Sequence, residues 1–543
     1  MPAATTGCDR SANLALAESQ LAAGTRQKAE GRESCVDRYY SAAIQAWRYL
    51  ESPPSSAADP NYRAAWQTYQ QGLARLLAAA RRSGRLDPRG SLILADARGR
   101  HVVPIAYYGF AWKPQEFCQV FSAEDRVSRD IVHHYRTCGL GTCLVAIRQG
   151  CGEELFFPAR QYFPVTAILR PGRSAYGSVD GSTLPDSHGP DAVLEFYNPC
   201  LFGSLPVGAT VVPMARDLTA PLDRLLGDTP RKFTEGFLDP GDAGVKPRLV
   251  VMEPYQRGKI PVVFIHGLWS DPVTWIDAVN DLRAQGDIYR QYQFWFFGYP
   301  TGRGILESAA ELREKLLLAR ESFDPAHQDA ALDRMVLVGH SMGGLVAQLQ
   351  VSHSYDILWR CAANRPLEAV RTNPEMRQRL RRAFFFEPSP MINRVVFIGT
   401  PHRGSTSARR LVGRLASSLV RISGPEKEQY RQLMADNQDI FAEYLWDSWP
   451  TSIDLLEPAN PLLDAMGRMP FGCGVRRHSI IGTGGGPLQG EPGDGVVPVS
   501  SARQAGVCSE LFIPAKHEKL HHDPATISDL ARILREHAGE SRH

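Results

Sequence analysis

Apolar positions near the start of the chain recur at helical spacing. Val36, Tyr40, Ala43, Trp47 and Leu50 step by four and three, and Tyr62, Trp66, Tyr69, Leu73 and Leu76 repeat those steps. Each set lays one apolar stripe along one face, which predicts two helices separated at Pro53-Pro54-Ser55-Ser56. No fixed period continues beyond them, so the pattern reads as a helical hairpin packed on its neighbour rather than a repeat array. From Ser91 the period shortens. Ser91–Leu94, Phe163–Leu169, Ala192–Tyr197 and Thr210–Met214 are short β-rich runs punctuated by Gly, Pro, Asp and Ser, as in an antiparallel sheet with long turns.

Beyond about residue 230 the pattern changes again. Pro261–Ile265, Phe294–Phe297, Met335–Val338 and Arg394–Ile398 are continuous apolar runs, and Ile305, Ala309, Leu312 and Leu316 mark a helix between the second and third. Apolar strands alternating with amphipathic helices predict a doubly wound, mostly parallel sheet covered on both faces. The boundaries expected are a helical segment at 1–88, a β-rich accessory domain at 89–235 and an α/β domain at 236–543.

Composition narrows the class. Lys and Arg number 61 against 58 Asp and Glu, a net charge of +3 that gives no electrostatic reason to expect nucleic acid as a partner. Hydrophobic residues at 43% and charged residues at 22% are those of an ordinary globular chain. No apolar run reaches the roughly 18 residues of a membrane-spanning helix. Ten cysteines are too few for a disulfide scaffold. His133, His134, Cys138, Cys143 and Cys151 crowd together, but without a CxxC pair they predict buried or disulfide-linked cysteines rather than a metal site. Thr5-Thr6-Gly7-Cys8 resembles the end of a bacterial lipoprotein signal, without its usual leucine or apolar stretch. The chain reads as cytoplasmic as written, or as exported and lipid-anchored at Cys8, with peripheral membrane association through the N-terminus, if its start is truncated.

Ligands of such sheets bind at the carboxyl ends of the strands, so the chemistry is sought there. The strand ending at Val338 runs into Gly339-His340-Ser341-Met342-Gly343-Gly344, a GxSxG nucleophile elbow followed by helical spacing at Leu345 and Leu349. The strand ending at Ile265 runs into His266-Gly267-Leu268-Trp269. Acyl transfer places negative charge on a former carbonyl oxygen, and two backbone N–H groups must already point at it. Met342 supplies one, and Leu268 or Trp269 the other. His266 reads as a brace of its loop. Trp269, His340 and His402 are candidates to line the substrate pocket.

Residues 250 to 540 resemble an α/β-hydrolase, in particular the bacterial serine lipases and esterases. The carrying motifs are Pro261-Val-Val-Phe-Ile-His-Gly-Leu, Gly339-His-Ser-Met-Gly-Gly and Gly399-Thr-Pro-His-Arg-Gly-Ser, the last similar to a loop of GPI inositol-deacylase-like proteins. The resemblance implies the order nucleophile, acid, histidine. Asp494, in Gly493-Asp-Gly-Val-Val-Pro, then becomes the acid, its alternative being an Asp-Gly turn residue. His517 stands three residues past Pro514, with His402, His521 and His522 competing for the same role.

The function implied is hydrolysis of small-molecule or lipid carboxylic esters through Ser341, His517 and Asp494, needing no metal or organic cofactor. A thioesterase, acyltransferase or amide hydrolase on the same fold, or a non-catalytic scaffold, are the alternatives. Residues 421–469, with Phe441, Tyr444, Leu445, Trp446, Trp449, Leu455 and Leu456, are read either as a lid over an acyl pocket or as ordinary packing. The N-terminal part is expected to do no chemistry, and deletion of residues 1–85 to leave ester hydrolysis measurable if the remainder stays folded.

Overall fold

The computed structural model describes residues 7–56, 59–96, 99–125, 131–150, 154–172, 192–228, 246–268, 270–405, 424–446, 455–458, 460–488 and 490–540. The chain divides into two compact units, Met1–Glu154 with Ala159–Asp228, and Leu155–Pro158 with Thr229–His543. The helical segment and the β-rich region expected at 1–88 and 89–235 thus share one unit.

In the first unit, α1 (Gly7–Ala29), α2 (Cys35–Leu50) and α3 (Pro60–Arg82) precede the strands. Asp59 caps α3 by accepting the Asn61 and Tyr62 N–H groups, with Pro60 opening the first turn. The predicted stripes are largely the buried ones: Val36, Ala43, Trp47 and Leu50 on α2, Tyr69, Leu73 and Leu76 on α3, with Tyr39 rather than Tyr40 turned inward. Strands β1 (Leu86–Asp87), β2 (Ser91–Asp96), β3 (Gly99–Tyr108), β4 (Gln119–Ser122), β6 (Thr142–Gln149), β7 (Arg160–Pro171) and β8 (Ala192–Tyr197) form a sheet in the order β1-β2-β3-β8-β7-β6-β4. It is antiparallel except for β3 beside β8, which run parallel because the chain builds β4, β6 and β7 between them. Two short ladders, β9 (Ser204–Val207) with β10 (Thr210–Pro213) and β5 (Arg136–Thr137) with β11 (Arg216–Asp217), complete the unit. The helices are fastened to the sheet by aromatic polar tips. The Tyr69 hydroxyl accepts from Leu169 N–H at 2.9 Å and donates to its carbonyl at 3.1 Å, while the Arg170 guanidinium lies 4.7 Å over the Trp47 ring. That anchoring places the helices and the sheet in one compact unit. Cys138 and Cys143 are free thiols, the first exposed, contrary to the expected burial or disulfide; Cys151 lies outside the described residues, as does the chain before Gly7.

The second unit is an α/β sandwich. Strands β12 (Arg248–Val251), β13 (Ile260–Ile265), β14 (Tyr292–Gly298), β15 (Met335–His340), β16 (Ile392–Ile398), β17 (Arg476–Gly482) and β18 (Ser509–Ile513) lie in the order β12-β14-β13-β15-β16-β17-β18, parallel except for β12. Every residue of β13, β14 and β15 is buried, because helices cover both faces. Alternate side chains enter opposite cores. Val263, Ile265 and Leu337 meet Ile305, Leu312 and Leu316 of the helix Ile305–Phe323. Val262, Phe264 and Val336 meet Ile527, Leu530 and Leu534 of the helix Pro524–Gly539. Within 421–469, Phe441, Leu445, Leu455 and Leu456 are buried in the first core, Tyr444 and Trp446 are exposed, and Trp449 lies outside the described residues. Among the described residues no helix is long and apolar enough to cross a membrane.

Candidate active site

Strand β15 delivers Ser341 into a sharp turn before the helix Met342–Gln348. Its φ of 54° and ψ of −125° lie where side chains are rarely found. The turn is held from both sides: Ser341 N–H donates to Ile398 O at 2.8 Å, and Gly344 N–H to Ser341 O at 3.0 Å. A Cβ on Gly343 would lie 2.3 Å from the Ile265 carbonyl oxygen, so only glycine lets the elbow press against the end of β13.

Asp494 stands in the loop after β17 and is 2% exposed. Its Oδ1 accepts the Val496 and Val497 N–H groups at 2.9 and 2.7 Å, leaving Oδ2 to accept from His517 Nδ1 at 2.7 Å. The Asp494 carbonyl also accepts the His517 N–H at 2.9 Å. His517 opens the turn His517–His522 after β18, and its Nε2 is 2.9 Å from Ser341 Oγ. With Nδ1–H committed to the carboxylate, Nε2 presents a lone pair to the hydroxyl proton. The structure therefore brings Ser341, His517 and Asp494 into one hydrogen-bonded line.

Met342 is the first residue of its helix, so its N–H has no partner within that helix. The loop after β13 passes close by: a Cβ on Gly267 would lie 2.9 Å from Ser341 Cβ. Leu268 follows and packs, half-buried, on the core that includes Met342 and Leu345; Trp269 lies outside the described residues.

The other histidines are held by protein. His266 accepts the Tyr299 N–H at Nε2 and donates from Nδ1 to Gly267 O at 3.0 Å, and burial lowers its pKa to about 4. It braces the loop that carries Leu268. His402 bonds Gln348 Oε1 through Nδ1 at 2.9 Å, and burial, then Arg403, lowers its pKa to about 3. Both His402 and His340 were candidates for the pocket lining; they are 7% and 5% exposed, and His340 Nε2 is 3.1 Å from the His517 carbonyl oxygen. His521 contacts Thr274 and His522 contacts Asp277, and neither is hydrogen-bonded to Ser341. Two contributors escaped the sequence reading. Gln348, one turn beyond the elbow, had no distinguishing pattern. Gly485, where a Cβ would lie 1.9 Å from the Asp494 carbonyl carbon, was signalled only by the run Gly484-Gly485-Gly486.

In the same unit, Leu306, Leu380, Phe384, Tyr430, Phe441 and Leu455 wall a small apolar cavity of about 30 Å³. Among the described residues no group of three or more His, Cys, Asp or Glu is placed to hold a metal ion.

No curated protein is significantly similar in sequence. Among solved structures, the mature lipase BlEst2 of Bacillus licheniformis covers 53% of this chain and 97% of its own, at 18% identity and a TM-score of 0.33. The lipase of Staphylococcus hyicus covers 53% and 100%, at 13% identity and 0.34. EstA of Clostridium botulinum covers 52% and 88%, at 15% and 0.33. Likenesses this distant carry no argument about activity. The profile of the alpha/beta hydrolase family matches residues 262–525, a span that holds Ser341, Asp494 and His517. Residues 262–525 of this chain form an alpha/beta hydrolase domain.

Proposed function

We propose that the protein is a serine hydrolase that cleaves carboxylic esters through an acyl-enzyme. The observation that carries the reading is the unbroken line from Asp494 through His517 to Ser341 Oγ, at 2.7 and 2.9 Å. Ser341 Oγ attacks the ester carbonyl while His517 Nε2 takes its proton, and the carbonyl oxygen becomes an oxyanion facing the Met342 and Leu268 N–H groups. His517 returns the proton to the leaving alcohol as the C–O bond breaks. Water, deprotonated by the same imidazole, then attacks the acyl-enzyme, and collapse of the second oxyanion releases the acid and restores Ser341. Asp494 holds the Nδ1–H throughout, fixing the tautomer of the neutral imidazole and stabilising the imidazolium formed when Nε2 takes the proton.

A fluorophosphonate probe tests the chemistry. Native protein should be labelled and Ser341→Ala should not; equal labelling of the two, or none of either, removes the reading in favour of a non-catalytic scaffold. A panel of p-nitrophenyl esters and acyl thioesters then separates esterase from thioesterase. Ser341→Ala and His517→Ala should each lower kcat by about 10⁴ to 10⁶, and the double variant hardly further, since the two act as one unit.

A further inference from the structure

Behind His517 stands a column of imidazoles that the proposed chemistry does not use. His340 lies between His517, at 4.8 Å between ring centroids, and His521, at 4.2 Å. His521 is 4% exposed, packs against the buried Trp275 ring at 5.4 Å, and its Nε2 is 2.5 Å from Thr274 Oγ1. Thr274 and Trp275 belong to the turn Pro272–Trp275, capped by the Asp271 carboxylate on Val273 N–H at 2.8 Å. That turn closes the loop that begins at Gly267 and Leu268. His521 therefore joins two segments meeting at the reacting atoms: the loop offering the Leu268 N–H and the turn carrying His517. His340 sits at the same junction, its Nε2 on the His517 carbonyl and its Nδ1 3.1 Å from where a Gly267 Cβ would lie.

An oxyanion hole acts only if its donors are placed before charge develops, and a misplacement of about 1 Å costs on the order of a hundredfold in rate. Neither loop is part of the sheet, so β13 and β18 alone do not fix their separation. We propose that His521, through its bond to Thr274, is a positioning residue that sets the distance between the Leu268 donor and the His517 imidazole. The proposal rests on the serine hydrolase reading.

The test is steady-state hydrolysis of p-nitrophenyl butyrate by the full chain carrying Thr274→Val, Thr274→Ser or His521→Phe. Thr274→Val keeps the shape and removes the hydroxyl; His521→Phe keeps a ring edge-on to Trp275 and removes Nε2. Each should lower kcat per fluorophosphonate-titrated site by roughly 10- to 100-fold with KM within about threefold, the range expected of a misplaced donor. Thr274→Ser, which restores the hydroxyl, should recover most of the rate. The double variant should be no worse than the poorer single, because both remove one bond. Should His521→Phe not fold, Thr274→Val against Thr274→Ser at a half-buried position carries the test alone. Unchanged kcat per titrated site in Thr274→Val, or a rise in KM alone, overturns the proposal. Full activity in Ser341→Ala would instead overturn the reading beneath it.

Discussion

The carboxylate of Asp494 has little freedom to be anything but an orienting group. Oδ1 is taken by two backbone N–H groups and Oδ2 by His517. Asp494→Asn would keep its oxygen on the backbone pair and turn its amide NH₂ toward His517 Nδ1. That imidazole would then protonate Nε2 and face Ser341 with a donor, so kcat should fall by about 10⁴ while the melting temperature changes little. Glycines in the same region divide sharply. Gly485→Ala sets a Cβ 1.9 Å from the Asp494 carbonyl carbon, a backbone clash, and should cost both stability and turnover. Gly467, on the exposed side of the helix Pro461–Arg468, has nothing within 4 Å of an added Cβ. Gly467→Ala should leave kcat unchanged and raise stability by up to about 1 kcal/mol, read from urea unfolding.

At the scale of elements, the far ends of the strands are held by buried imidazoles that must stay neutral. His478 on β17 accepts from Arg394 of β16 at Nε2, 2.8 Å away, and its Nδ1 is 2.7 Å from Ser509 Oγ of β18. His537, on the helix Pro524–Gly539, meets the Tyr292 hydroxyl at 2.9 Å and Asn393 Oδ1 at 3.0 Å. Burial, reinforced by Arg394, lowers the pKa of each to about 3. In the unfolded chain an imidazole titrates near 6.5, so between pH 6.5 and about 3 the unfolded state binds protons that the folded state refuses. Their contribution to stability is therefore complete above the unfolded pKa and is lost as the pH falls through that window, by up to about 1.4 kcal/mol per pH unit for each imidazole. Urea midpoints measured from pH 7.5 to 4.5 should hold level down to about pH 6.5 and then fall, more gently in His537→Gln. A level profile would exclude this account.

At the scale of the whole molecule, the hydrolase unit is not one continuous stretch of chain. Residues 155–158 belong to it: Phe156 is 4% exposed, packs against Phe323 at 5.3 Å, and its carbonyl accepts the Val251 N–H of β12 at 2.8 Å. Phe156→Ala should cost about 3 to 5 kcal/mol, seen as a lower urea midpoint for loss of ester hydrolysis. A chain beginning at residue 229 lacks that ring altogether and should be active but comparably weakened. Deleting residues 1–85, the cut suggested by the helical pattern, instead strips α1, α2 and α3 from the sheet to which Tyr69 and Trp47 bind them. The N-terminal unit is best removed at Asp228.

Local signals were enough for the strands and the elbow, because each is written in a short run: an apolar strand, then a glycine-bounded turn. They favoured His517 over His521, four residues along, only by its nearness to the strand end; both lie in one turn, and the fold decides which ring faces Ser341 and which faces Thr274. Nor could they show that Phe156 belongs with β12, or that the stripes at 36–50 and 62–76 cover the sheet that follows them. Periodicity reports which face of an element is apolar; what that face meets depends on contacts distant in sequence, which the tertiary structure alone supplies.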